Sequence, residues 1–259
     1  MTPIDARAGA PCPAGWRLEA VGWYPAPVLP VSDDETPMSS FPASWPMPER
    51  QPFAGLYCRL EPLDPALHGN DLYAVASDRD AERLYRWLPD PVPTSREAFE
   101  EELLAAAAST DRMAFAVIDG ATGRAEGRQS LMDISTAHGS AEIGHILWGP
   151  RIAGTRVATE AFFLLADHVF GLGYRRYQWR CNARNGPSRR AAERFGYAFE
   201  GIFRQHLVLK GESRDTAWYS ILDHEWPDRR TAFKRWLDPE NFDEAGRQRR
   251  RLSEFRPAS

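Results

Sequence analysis

The stretch AEIGHILWGPRIAGTRVATEAFFLLADHVF, residues 141–170, decides how the rest of the chain is read. Ala141 to Trp148 is a strand, stopped by Gly149-Pro150, and a long helix follows over about Arg156 to Phe170, ended by Gly171 and Gly173. A strand that passes through a Gly-Pro loop into a helix offers an anion site. The first amides of a helix are free, and its dipole suits a phosphate. The same residues also fit a plain strand-to-helix turn. Arg151 and Arg156 bracket Gly154 and put two cations on this short loop.

Working downstream, Tyr177 to Asn182 alternates as a strand. Pro187 to Phe195 is a short helix, with proline near its first position and Gly196 as its left-handed stop. Strands Phe199–Leu209 and Asp215–Leu222 follow around a turn at Lys210-Gly211, then a helix over Arg229–Leu237. Upstream, Met113–Ile118 and Arg124–Met132 flank a hairpin turn at 119–123. Asp71–Leu88 and Ser95–Ala108 read as helices, the second with Ser95 at its cap and acids in its first turns. Leu56–Leu60 is a strand ended by Pro62 and Pro65. The order is strand, two helices, three strands, helix, strand, helix, two strands. That order predicts an α/β fold, a mixed sheet with helices on its faces.

Three segments are expected. Residues 1–50 hold ten of the 21 prolines, a density that breaks helices, so they read as an irregular arm. Trp16, Trp23 and Trp45 each need apolar cover, which favours an arm wrapped over the domain. Residues 51–226 form the folded domain, and 227–259 a last helix with a basic tail (Arg247, Arg249, Arg250, Arg251), read as a solvated tail.

Bulk composition narrows the function. Hydrophobic residues make up 43% of the 259, enough for a real core, and the net charge of -4 gives no pull towards nucleic acid or an acidic membrane. No apolar run reaches membrane-helix length, and the first residues lack a signal-peptide core. Three cysteines (Cys12, Cys58, Cys181) form neither a metal-like spacing nor a disulfide framework. A reduced, cytoplasmic protein without a metal is expected.

From Glu142 to Leu222 the chain resembles the GNAT acetyltransferases, in particular the branch containing the RimL-type ribosomal-protein N-terminal acetyltransferases. The resemblance is carried by Glu142-Ile143-Gly144-His145-Ile146 and by Ala158-Thr159-Glu160-Ala161. Further on it is carried by Asn185-x-x-Ser188, Glu193-Arg194-Phe195-Gly196-Tyr197, Glu200-Gly201-x-x-Arg204, Lys210-Gly211, Asp215 and Tyr219. Arg59-Leu60-Glu61-Pro62-Leu63 and Trp87-Leu88-Pro89 match more loosely, and residues 1–50 lie outside it. The resemblance implies the GNAT fold: a mixed, mostly antiparallel central sheet splayed at its middle strands, with helices on both faces. It also implies acetyl-CoA as acyl donor and a primary amine as acceptor, attacking directly in a ternary complex.

The family's pyrophosphate loop reads Gln/Arg-x-x-Gly-x-Gly/Ala. In the register set by Ala158 this chain has Ala153-Gly154-Thr155-Arg156-Val157-Ala158, so Ala153 takes the first position and Arg156 the central glycine's. The frame Arg151-x-x-Gly154-x-Arg156 restores two positions and loses the last. Backbone amides bind phosphate whatever the side chain, and Arg156 or Arg151 could add a charged contact. The resemblance thus assigns Leu147, Trp148, Arg151, Ala153, Gly154, Thr155, Arg156, Val157, Ala158, Asn185 and Ser188 to the donor, with the strand-end amides holding the oxyanion.

Glu142 and His145 are the candidate bases, directly or through water; each could equally be a solvent-facing or core-satisfied polar residue. Many GNAT enzymes carry a tyrosine acid where this chain has Ala192. Ser188 is the RimL-type substitute, or a first-turn hydroxyl satisfying a helix amide. Asn185 is either a pantetheine ligand or a helix cap. Cys181 is a buried small residue or an acyl carrier. Tyr85, Trp87 and Asp90 would line the acceptor side, or serve core and surface. The acceptor is a protein N-terminus, an amino acid or a small amine, with no membrane or specific nucleic-acid partner, in a monomer or homodimer. The alternative is a catalytically weak acyl-CoA-binding or regulatory module.

Overall fold

A computed structural model of the chain describes residues 41–257. Its strands are β1 (Phe53–Ala54), β2 (Cys58–Pro62), β3 (Arg112–Asp119), β4 (Ala125–Ser135), β5 (Ser140–Trp148), β6 (Arg176–Asn182), β7 (Ala198–Leu209) and β8 (Glu212–Leu222). Its helices are α1 (Pro65–Ala76), α2 (Ala81–Tyr85), α3 (Arg96–Ala108), α4 (Arg156–Gly171), α5 (Gly186–Phe195) and α6 (Trp226–Trp236). The strands form one sheet of eight, in the order β1-β2-β3-β4-β5-β6-β8-β7. Every neighbouring pair is antiparallel except β5–β6, which is parallel because α4 carries the chain back between them.

Helices cover both faces, and β3 shows how its sequence serves them. Phe115 and Val117 join the apolar cluster under α4, whereas Ala114, Ala116 and Ile118 join the one under α1–α3. Such a strand is apolar on both sides because neither face meets water. On the α4 side an aromatic nest forms, with Phe162 stacked on Phe195 at 4.3 Å and Phe163 on Phe233 at 5.6 Å.

Helix starts follow the capping residues. Asp64 accepts from the amides of Ala66 and Leu67 ahead of Pro65, and Ser95 accepts from Ala98. Gly196 closes α5 at φ +94°, where only glycine is unstrained. One expectation needs correction: Asp71–Leu88 is not a single helix. α1 begins a turn and a half earlier, at Pro65, and ends before Ser77. Asp78 Oδ1 accepts from the Asp80 amide, and this local bond competes with a continuous helix.

Trp16 and Trp23 lie outside the described residues. Trp45 is buried, and its Nε1 donates to the Gly173 carbonyl at 2.7 Å. At Gly139 (φ +60°) a Cβ would fall 2.5 Å from that indole. At the other end, Trp226, Phe233, Trp236, Phe242 and Leu252 belong to the same apolar cluster as α4. The arginines at 247–251 are exposed, but Phe242 and Leu252, on either side of them, are anchored, and Trp236 Nε1 donates to Gln248 at 2.9 Å. The segment expected as a solvated tail is therefore packed down between its arginines. Among the described residues no helix is long and apolar enough to cross a membrane.

Candidate active site

The site begins where the parallel pair comes apart. β5 and β6 pair at Ser140↔Arg176, Ala141↔Tyr177 and Glu142↔Gln178, and no further. Beyond Glu142 the strands diverge around a cavity of about 750 Å³. On its other side β5 pairs with β4, whose register shifts between Arg128 and Ser130, so that His145 and Ile146 together face Gln129. His145 takes φ +47°, a left-handed conformation that a non-glycine residue adopts at a cost of about 1–2 kcal/mol. This bulge bends β5 away from β6.

One end of the cavity is the start of α4. Ala153, Gly154, Ala158 and Thr159 line it. Ile152 and Ala153 donate their amides to the Gly149 carbonyl, and Val157 donates to Thr155 Oγ1. The amides of Gly154, Arg156 and Ala158 have no acceptor among the described residues. Gly154 has φ +77° with open space where a side chain would stand. Unpaired amides, a positive helix end and an uncrowded glycine together suit a diphosphate, so these residues fit the donor that the resemblance implies.

The two loop arginines behave otherwise. Arg151 is 68% exposed and pairs with Glu126 at 2.8 Å. The Arg156 guanidinium lies over Tyr57 at 4.4 Å and Phe242 at 5.2 Å, held by two aromatic faces. Neither side chain lines the cavity, so in this structure the loop presents its backbone amides to the cavity and turns both expected arginines elsewhere. Thr155 and Val157 are likewise off the wall, the threonine hydroxyl being spent on the cap. Leu147 and Trp148 line the cavity, and Trp148 Nε1 donates to Gln129 at 3.1 Å. Arg194 of α5, part of the Glu193–Tyr197 motif but given no site role from the sequence, also lines it. It donates to Thr159 Oγ1 at 3.0 Å and lies over Trp236, and burial lowers its pKa to about 10.

At the parting of the strands stand the polar groups. Glu142 is 4% exposed and forms an ion pair with Arg180, its Oε2 facing the guanidinium Nε. Burial raises its pKa to about 7, against the opposing pull of Arg180. His145 lines the same cavity, but burial and then Arg112 push its pKa down to about 4; Arg112 Nη1 lies 2.8 Å from its ring. Ser188 Oγ accepts from Trp179 Nε1 at 3.0 Å, and Asn185 caps α5 by accepting from the Ser188 amide at 3.1 Å. Both line the cavity, as does Cys181, a free thiol whose pKa is raised by burial.

The far end is walled by Arg83, Leu84, Trp87, Leu88 and Pro89 from the α2 region and by Leu207, Leu209 and Arg214 from the β7–β8 hairpin. Lys210 Nζ donates to the Tyr85 carbonyl at 2.9 Å and ties the two together. Trp87 thus sits on the wall. Tyr85 does not: its side chain is fully buried in the α1–α3 cluster, and burial raises its pKa. Asp90 stands behind the wall, with Oδ2 3.9 Å from His145 Nδ1. Both are corrections to the expected acceptor lining. They arise because α2 is a single short turn that buries Tyr85 while the loop after it presents Trp87.

The fold and sequence are shared with known proteins. The model of the acetyltransferase (GNAT) domain matches residues 58–198. The crystal structure of a GCN5-related N-acetyltransferase from Brucella melitensis is 54% identical, covering 83% of this chain and 98% of that one, with a TM-score of 0.82. A GNAT-family structure from Chromobacterium violaceum is 34% identical over 87% of this chain and all of its own, with a TM-score of 0.66. RimL, a ribosomal L7/L12 alpha-N-protein acetyltransferase, shares the fold at 20% identity and a TM-score of 0.56, covering 65% of this chain and 91% of its own. Comparison with curated proteins finds no match. By fold, by sequence and by the split strands at its centre, the chain belongs to the GNAT family and is an acetyl-CoA-dependent acetyltransferase.

Proposed function

We propose that the chain moves an acetyl group from acetyl-CoA to a primary amine by direct attack in a ternary complex, with Glu142 as the base. The observation that carries this is the Glu142 carboxyl itself. It is buried on the cavity wall where β5 leaves β6, with a pKa raised to about 7. A base with a pKa near the working pH combines a populated ionised form with a real affinity for the proton. His145, with its pKa pushed down to about 4, is the weaker base, and its left-handed backbone gives it the role of shaping the bulge.

The remaining residues divide the work by position. The amides of Gly154 in the loop and of Arg156 and Ala158 in the first turn of α4 hold the diphosphate of the donor. Asn185 binds its amide-bearing arm, and at the end of β5 the Trp148 amide, which points away from β4 because the Gly149 amide bonds to Glu126 there, faces the carbonyl oxygen as it gains charge. Ser188 offers its hydroxyl to the departing sulfur. The ordered motifs support a place in the RimL-type branch, in which a protein N-terminus is one candidate acceptor. The two described cysteines, both free and buried, suit a reducing cytoplasm.

The test is a thiol-release assay with acetyl-CoA against a panel of amines, amino acids and N-terminal peptides. Turnover with any acceptor is the expected result. Binding of acetyl-CoA without turnover by any of them returns the chain to the reading of a weak acyl-CoA-binding module.

A further inference from the structure

Arg214 is the charged group on the cavity wall that the reaction leaves unexplained. It sits half-buried on β8, and among the described residues its guanidinium makes no hydrogen bond and no ion pair. Its Nε is shut off from solvent with no acceptor in reach. The other lining arginines are provided for or exposed. Arg83 pairs with Asp80, Arg180 is held by Asp133 and Glu142 over the Trp218 ring, Arg194 donates to Thr159, and Arg190 faces solvent. Half-burying a guanidinium without a counter-charge is unfavourable, and the cost is recovered when an anion enters beside it.

The position of Arg214 says which anion. It lies on the wall beside the β7–β8 hairpin, and the ionisable side chains within electrostatic reach of it are the Cys181 thiol, buried and held neutral, then Arg180 and Glu142, so that Glu142 is the one carboxylate among them. Glu142, the base, and Arg214 therefore line one cavity, with Trp87, Leu207 and Leu209 also on its wall and the Lys210–Tyr85 bond tying the β7–β8 hairpin to the α2 region. A molecule with an amine towards Glu142 and a carboxylate towards Arg214 matches both charges at once. We infer that the acceptor is an amine carrying a carboxylate a few bonds from its nitrogen, and that Arg214 binds that carboxylate. This deepens, and rests on, the reading of the chain as an amine acetyltransferase. In the reaction the new bond joins the amine nitrogen to the acetyl carbon and the carbon–sulfur bond breaks. The amine proton passes to Glu142 and from there to solvent, the sulfur leaves as a thiolate that accepts a hydrogen bond from the Ser188 hydroxyl and takes its proton from solvent, and the carboxylate is a spectator held by Arg214. The carboxylate can come from a free amino acid or from an acidic residue at a polypeptide N-terminus. The electrostatic reach between Arg214 and Glu142 favours the free amino acid, whose amine and carboxylate lie a few bonds apart.

The test measures kcat/KM for glycine, L-serine and β-alanine, each beside its own carboxamide, and for peptides beginning with Asp or with Asn. Acetyl-CoA binding is followed in parallel by calorimetry. The expected result is a preference of about 10-fold or more for the carboxylate member of a pair, the scale of a charge-assisted contact. Arg214→Ala should collapse that preference towards unity, chiefly through KM, with acetyl-CoA affinity unchanged; Arg214→Lys should keep part of it. A preference confined to the Asp and Asn peptides keeps the role of Arg214 and assigns the carboxylate to a polypeptide. Equal rates within every pair, an equal loss for all acceptors in Arg214→Ala, or bound acetyl-CoA with no carboxylate acceptor consumed each overturn the inference. If acetyl-CoA does not bind at all, the acetyltransferase reading of this site falls first.

Discussion

Trp179 Nε1 donates to Ser188 Oγ at 3.0 Å, across the face of β6 that also carries Cys181. A hydroxyl that accepts from an indole keeps its own hydrogen for another acceptor. Ser188 is thus prepared as a donor, whereas its amide is already engaged by Asn185. Replacing it with alanine should lower kcat about 10-fold, or about 1.4 kcal/mol of transition-state stabilisation, with little change in acetyl-CoA affinity. Asn185→Ala should weaken acetyl-CoA binding and also cost about 1 kcal/mol of stability through the lost cap. Steady-state kinetics beside calorimetric titration separates the two. Intact turnover with weakened binding in Ser188→Ala would reduce the serine to a donor contact.

Glu142 makes the enzyme pH-dependent in two distinguishable ways. As the base it must be ionised, so kcat/KM should rise as pH passes about 7. Glu142→Gln should remove that limb and lower kcat about 10²-fold. Its effect on stability has the opposite sense. The folded protein holds this proton more tightly than the unfolded chain does, so its stabilising contribution is full below the ordinary carboxylate range. It is lost as pH rises to about 7. Urea denaturation of parent and Glu142→Gln at pH 5 and pH 8 should show the variant gaining on the parent at the higher pH. A gap that stays constant places the carboxyl in an ordinary environment.

Arg156 should prove structural. Acetyl-CoA at saturation should raise the melting temperature by mass action, and Arg156→Ala should keep that increment while starting from a lower baseline. Removing a guanidinium from two aromatic faces costs about 0.5–2 kcal/mol. A lost increment would return the side chain to the diphosphate.

Glu160 fastens the first strands to α4. Its carboxylate accepts from the amides of Leu56, Tyr57 and Cys58 at 2.8, 2.6 and 2.8 Å, and it is buried. Glu160→Gln replaces one acceptor oxygen by a donor facing these amides, and should cost about 2 kcal/mol in chemical denaturation. Gly55→Ala should act through the same contact, since its Cβ would fall 2.3 Å from the Glu160 carboxyl carbon.

The strand, loop and helix at 140–171 were legible because their signals are local: alternating apolar residues, Gly149-Pro150, the Thr155 cap, and glycines after Phe170. The break between α1 and α2 was less so, because Ser77 to Asp80 interrupt the helix through short polar bonds that the apolar pattern does not register. The donor end of the site could be assigned from its loop, but the direction of Arg156 could not. It is set by Tyr57 and Phe242, remote in sequence and brought together only by packing. Arg180 and Arg214 escaped for the same reason. Each reads as an ordinary strand arginine until β5, β6 and β8 set them beside Glu142.

The short seam between β5 and β6 has a mechanical consequence. Three residue pairs join these strands, whereas β6 and β8 are joined by seven. The sheet therefore behaves as two plates with one narrow weld, and α4 is the strut that spans it. Strain concentrates at the weld, so the amides bordering the gap should exchange with deuterium ahead of those inside either plate. A donor arm laid into the gap acts as a splint, and deuterium uptake along Ile143–Trp148 should slow on binding, with the outer strands unchanged.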